Sequence, residues 1–108
     1  MRYERTDSFK ADFRGLSKRE QELFRAAART FNDACDASFT NTSERKWPTS
    51  LRVKPVQGAS GIFEMTWSFS GPDGRATWEW TTITGDNGTK HPAVRWRRIG
   101  NHRIFGRP

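Results

Sequence analysis

The stretch FEMTWSFSGPDGRATWEW, residues 63–80, decides the fold. Phe63, Met65, Trp67 and Phe69 alternate with Glu64, Thr66 and Ser68; beyond the middle, Ala76, Trp78 and Trp80 alternate with Arg75, Thr77 and Glu79. A period of two sends successive side chains to opposite faces of a strand, so each run is apolar on one face only. Between the runs, SGPDG at residues 70–74 supplies Pro and Gly where a chain reverses, and the pair is predicted to form an antiparallel hairpin.

The same period extends to either side. TGDNGTK, residues 84–90, reads as a second turn leading into Val94 and Trp96, which alternate with Arg95 and Arg97. Upstream, Leu51 and Val53 alternate with Arg52 and Lys54. Earlier still the period becomes helical: Phe9, Phe13 and Leu16 share a stripe, and Gly15 ends that helix quickly. In SKRE, Ser17 and Glu20 have the spacing of a capping box, in which each side chain bonds the other's backbone N–H. Leu23, Phe24, Ala27, Ala28, Phe31, Ala34 and Cys35 then mark one apolar face, with helical periodicity stopping near Ala37 and a loop, SFTNTSERKWP, after it. Arg2–Thr6 is short enough for an opening strand in which Tyr3 points inward. The expected architecture is α+β: one domain over residues 1–108, with an N-terminal helical hairpin on one face of a twisted, mostly antiparallel sheet of four to five strands.

Composition narrows the class. Hydrophobic residues make up 33% of the chain but include five Trp and eight Phe, which predicts a small core filled by a few large rings. One cysteine permits no intramolecular disulfide, and Cys35 with two distant histidines has no metal-ligand spacing. MRYERTDSFKADF lacks the apolar run of a signal peptide and no segment has transmembrane length, so a soluble, cytoplasmic protein is expected.

The charge is unevenly distributed. Residues 1–44 carry eight Lys/Arg against eight Asp/Glu, whereas residues 45–108 carry eleven against four, so the whole +7 falls in the second part. Alternation assigns Arg52, Lys54, Glu64, Thr66, Ser68, Arg75, Thr77, Glu79, Arg95 and Arg97 to the sheet face away from the helices. Five of these are basic, two acidic and none aliphatic, a face suited to a polyanion through charge-assisted hydrogen bonds. Such contacts give affinity without sequence choice, and by themselves describe a non-enzymatic nucleic-acid-binding module. His102 is the residue that adds chemistry, since an imidazole moves protons near neutral pH. RNA brings its own nucleophile, the 2′-hydroxyl, so arginine, lysine and histidine suffice for cleavage without a metal. Gly100 is expected to release the last strand so that His102 turns toward Arg75. Trp67, Trp78, Trp80 and Trp96 fall on the apolar phase and read as core, as do Cys35 and Trp47, while His91 before Pro92 reads as a solvated turn residue.

A short strand, two helices, LRVKPVQGASGIFEMTWSF, a turn, RATWEW and a closing strand ending IGNH together resemble the RelE/ParE superfamily of bacterial toxin–antitoxin toxins. The marks are Leu51 to Lys54 followed by Gly61, Ile62 and Phe63, then Arg75 after the turn, and Ile99, Gly100 and His102 near the end. The resemblance implies a metal-independent endoribonuclease that cleaves mRNA, commonly on the ribosome, and inhibits translation; the ParE-like alternative is a poison of DNA gyrase. By position, Arg75 would contact the scissile phosphate, His102 would transfer a proton and Lys54 would assist. Arg52, Arg95, Arg97, Arg98 and Arg103 would hold the RNA. The chain departs from the family in having Phe105 where relatives carry a tyrosine, and Glu64, Thr66 and Ser68 where they place cations, which makes Glu64 a possible base. No cofactor is implied. The implied partners are a cognate antitoxin and mRNA with the ribosome, not a membrane, with operator DNA reached only through the antitoxin complex.

Overall fold

The computed structural model describes residues 1–41, 47–68 and 73–108, apart from the side chains of residues 37–41 and of His102. It is an α+β fold of two helices and a five-stranded mixed sheet. The elements are β1 (Arg2–Arg5), α1 (Asp7–Arg14), α2 (Lys18–Asn41), β2 (Lys54–Pro55), β3 (Phe63–Ser68), β4 (Gly74–Thr84) and β5 (Lys90–Gly100), with 3-10 helices at Thr49–Leu51 and His102–Gly106. The sheet order is β1-β5-β4-β3-β2. β1 lies parallel to β5, and the other pairs are antiparallel.

Both runs of the opening stretch are strands paired antiparallel, with Phe63 opposite Trp78 and Met65 opposite Ala76. Of the SGPDG turn, only Asp73 and Gly74 fall within the described residues. One face of the sheet meets the helices. There Phe9, Phe24, Phe31 and Cys35 pack on Met65, Trp67, Ala76, Trp78, Val94, Trp96 and Ile99. Phe31 stands edge-on to Trp78 at 4.9 Å and tilted against Trp96 at 5.2 Å, and Trp47 stacks on it at 5.8 Å. Each fully buried large side chain contributes about 1.5–3 kcal/mol, so this aromatic cluster dominates the stability.

Local chemistry sets the helix starts. Ser17 and Glu20 form the expected reciprocal box, with N–H···O distances of 2.8 and 3.1 Å. The Thr6 hydroxyl accepts from the Phe9 N–H at 3.1 Å and donates to the Arg97 carbonyl at 2.7 Å, tying the start of α1 to β5. The two helices differ threefold in length, eight residues against twenty-four, with α1 lying along β5 and α2 reaching β3. The firm description is therefore two successive helices after β1, rather than a matched hairpin.

Four expectations change. α2 continues past Ala37 to Asn41, and the expected loop begins later, its residues 42–46 lying outside the described set. The strand expected at 51–54 shrinks to Lys54–Pro55. Leu51 ends a 3-10 turn, Arg52 adopts a left-handed φ of 47°, and Pro55 has no N–H to extend the ladder. His91 and Pro92 belong to β5 rather than a turn, opposite Ile83 and Thr82; Pro92 is tolerated because β1 begins pairing only at Ala93. Finally, the sheet face away from the helices is closed at its centre. Thr66, Thr77, Arg75 and Glu64 are 1, 0, 7 and 7% exposed, because the His102–Gly106 3-10 helix folds back onto β4 and β5 and buries Ile104 there.

Candidate functional site

Register across the sheet brings the predicted residues into two rows on that closed face. Lys54 stands opposite Glu64, Glu64 opposite Thr77, and Thr77 opposite Arg98. One step along, Thr66 stands opposite Arg75, and Arg75 opposite Gly100. The first row runs from solvent to interior: the Lys54 side chain is 64% exposed, and that of Glu64 10%.

Arg75 is the centre. Its Nε lies 3.7 Å from Glu64 Oε1, the same oxygen that Lys54 Nζ approaches at 3.7 Å, and its Nη2 donates to Asp73 Oδ2 at 3.4 Å. The charges of Lys54, Arg75, Glu64 and Asp73 cancel. Nevertheless Arg75 Nε and Nη1 are buried without a hydrogen-bond partner, and so are the Thr66 and Thr77 hydroxyls beside them. Leaving a buried donor unpaired costs about 1–3 kcal/mol, more for a charged group, and such a cluster calls for a further ligand or role. A tetrahedral oxyanion offers acceptors for those guanidinium donors, and Glu64 offers a carboxylate that accepts a proton.

His102 is placed by its backbone alone. It opens the C-terminal 3-10 helix two residues after Gly100, the register partner of Arg75, with Asn101 as N-cap accepting from the Arg103 N–H at 2.9 Å. Its side chain lies outside the described residues.

The remaining cations of this face are not idle donors. Arg95 bridges its register neighbours Glu4 and Glu79, at 2.5 and 3.1 Å, and Arg97 pairs with Glu79. Arg98 forks onto Asp12 at 2.6 and 3.2 Å. The hydrogen bond that Arg95 donates to Glu4 raises the pKa of Arg95, against the opposing effect of burial, and the bond to Asp12 does the same for Arg98. With Lys54 and Arg75 held by Glu64 and Asp73, five predicted cations face five carboxylates. The basic face is thus largely an ion-pair network, and Arg52 and Arg103 are the predicted RNA contacts that remain exposed.

Sequence reasoning missed Asp73, Asp12 and Glu4 as partners. Among the described residues no group of three or more His, Cys, Asp and Glu side chains is gathered, and no described helix is long and apolar enough to cross a membrane. Comparison with family models, with curated proteins and with solved structures finds no match for this chain.

Proposed function

We propose that this protein is a RelE/ParE-type toxin of a toxin–antitoxin system, acting in the cytoplasm as a metal-independent endoribonuclease on mRNA held by the ribosome. One observation carries the reading: a buried guanidinium, Arg75, keeps two donors unpartnered beside a carboxylate and a lysine, in register with the glycine that precedes His102. In this reading the scissile phosphate takes the Nε and Nη1 donors of Arg75, with Lys54 at the exposed end of the row. Glu64 or His102 removes the 2′-hydroxyl proton, and His102 protonates the leaving 5′-oxygen. Arg52 and Arg103 meet the RNA backbone, while Arg95, Arg97 and Arg98 serve the fold. A cognate antitoxin would hold the toxin inactive.

Expression of Arg75→Lys and His102→Ala variants tests the assignment, with circular dichroism checking that each folds. The unmodified chain should arrest growth and deplete mRNA, and both variants should lose this effect; folded variants that retain it sink the catalytic roles.

A gyrase poison of the same fold is the second reading. It is favoured by the internal pairing of Arg95, Arg97 and Arg98, which removes cations an RNA backbone would use. Supercoiling assays set against reconstituted translation separate the two.

A further inference from the structure

We propose that the groove between β1 and the two helices is a binding site for a small amphipathic carboxylate, an aromatic or medium-chain organic acid. This inference is independent of the nuclease reading, since the groove lies on the helix side of the sheet. The helices cover β5, β4 and β3 but leave β1 overhanging: Tyr3 and Arg5 share the core-side face with their partners Val94 and Trp96, yet both are exposed, Tyr3 to 54%. The overhang opens a cavity of about 390 Å³, within the range of small-molecule sites.

Its floor and rim differ in chemistry. Phe9, Phe24 and Trp96, at 1, 7 and 2% exposure, form the floor together with Phe13. The rim carries Arg5, Arg25 and Arg29, and no Asp or Glu lines the cavity. Among the described residues, none of these three arginines makes an ion pair, in contrast to the paired cations across the sheet. Arg25 instead lies over the Phe13 ring, 5.3 Å from its centroid. At the inner wall, Asn32 Oδ1 is buried without a partner, on an amide whose flip would present donors instead.

Three unpaired guanidinium groups above an aromatic floor fit one anionic head on an apolar body, because arginine forks match a carboxylate bidentately. A single-stranded nucleic acid needs exposed ring faces on which successive bases stack. Here the floor rings are recessed and Tyr3 alone stands proud, which suits a small ligand.

The test uses the full chain labelled with ¹⁵N and titrated separately with 4-phenylbutanoate, 4-phenylbutanamide, acetate and inorganic phosphate. Saturable amide shifts confined to the residues of β1, α1 and α2 that line the groove are expected with 4-phenylbutanoate. The neutral amide should bind about tenfold or more weakly, since it lacks the charge. Acetate and phosphate, lacking the body, should not saturate. Arg25→Gln and Arg29→Gln should each weaken 4-phenylbutanoate about fivefold or more, and Lys90→Gln at the far hairpin should leave it unchanged. Equal affinity for acid and amide, undiminished binding in the arginine variants, or competition by phosphate at equal concentration would overturn the assignment.

Discussion

Arg75 and Gly100 stand opposite one another across β4 and β5, and a Cβ on Gly100 would lie 3.1 Å from Ile104 Cγ2. The glycine is what allows the C-terminal 3-10 helix to close over the Arg75 row. Gly100→Ala should therefore push the Ile104 side chain outward and cost about 1 kcal/mol, and Gly100→Val more. Urea denaturation measures this. A neutral or stabilising Gly100→Val would show that Ile104 does not seat there.

Gly74 is the more demanding position. An added Cβ would come within 2.4 Å of Trp67, whose ring is 6% exposed and set edge-on against Phe24 at 6.5 Å. The added methyl would force the large buried indole to shift, so Gly74→Ala should cost about 3 kcal/mol, at the upper end for overpacking. Thermal unfolding of this variant beside Gly100→Ala should show the larger loss at Gly74.

Asp12 serves two donors, the Arg98 fork and the Ile99 N–H at 3.2 Å, so it caps the edge of β5 that β1 leaves uncovered. Asp12→Ala should destabilise by about 2 kcal/mol through that orphaned amide and the lost charged bonds. Because Asp12 raises the pKa of Arg98, the arginine's share is fully present below its ordinary value and is lost only as pH rises beyond it. The cost of Asp12→Ala should accordingly be the same at neutral and at moderately alkaline pH. A cost that fades on raising the pH across that range contradicts the pairing.

Much of this was legible in the residues. Alternation at Phe63–Ser68 and Ala76–Trp80 placed β3 and β4 and correctly chose the face that meets the helices, and the Ser17–Glu20 spacing marked the start of α2. What alternation cannot show is what lies over the second face. Gly100 reads as the release point of the last strand, and β5 does end there, but nothing in IGNHRIF shows that Ile104 folds back over β4 and β5. Segment charge was equally blind to partners. The acids that neutralise Arg95 and Arg98, Glu4 and Asp12, lie 91 and 86 residues away in sequence, so a balanced first part and a basic second part meet as pairs. Among the described residues, the three arginines that rim the groove without an ion pair, Arg5, Arg25 and Arg29, all lie in the balanced part.

The Glu64–Arg75 relation predicts its own thermodynamics. Arg75→Met leaves Glu64, whose side chain is 10% exposed, without its buried counter-charge, and should cost about 3 kcal/mol. Adding Glu64→Gln to that variant should recover part of the loss. Denaturation of the two single variants and the double variant closes the cycle, and strict additivity would mean that the two side chains are not coupled.

In the proposed function, Arg75 and His102 cleave RNA by attack of its own 2′-oxygen, without a metal. The most direct measurement is the chemistry of the ends formed when the purified protein meets mRNA, alone in excess EDTA and with ribosomes in magnesium buffer. On this proposal the fragments should bear 2′,3′-cyclic phosphate and 5′-hydroxyl ends, at least about a hundredfold fewer with Arg75→Lys, and none with His102→Ala. Intact mRNA under both conditions, or equal cleavage by folded variants, would contradict it.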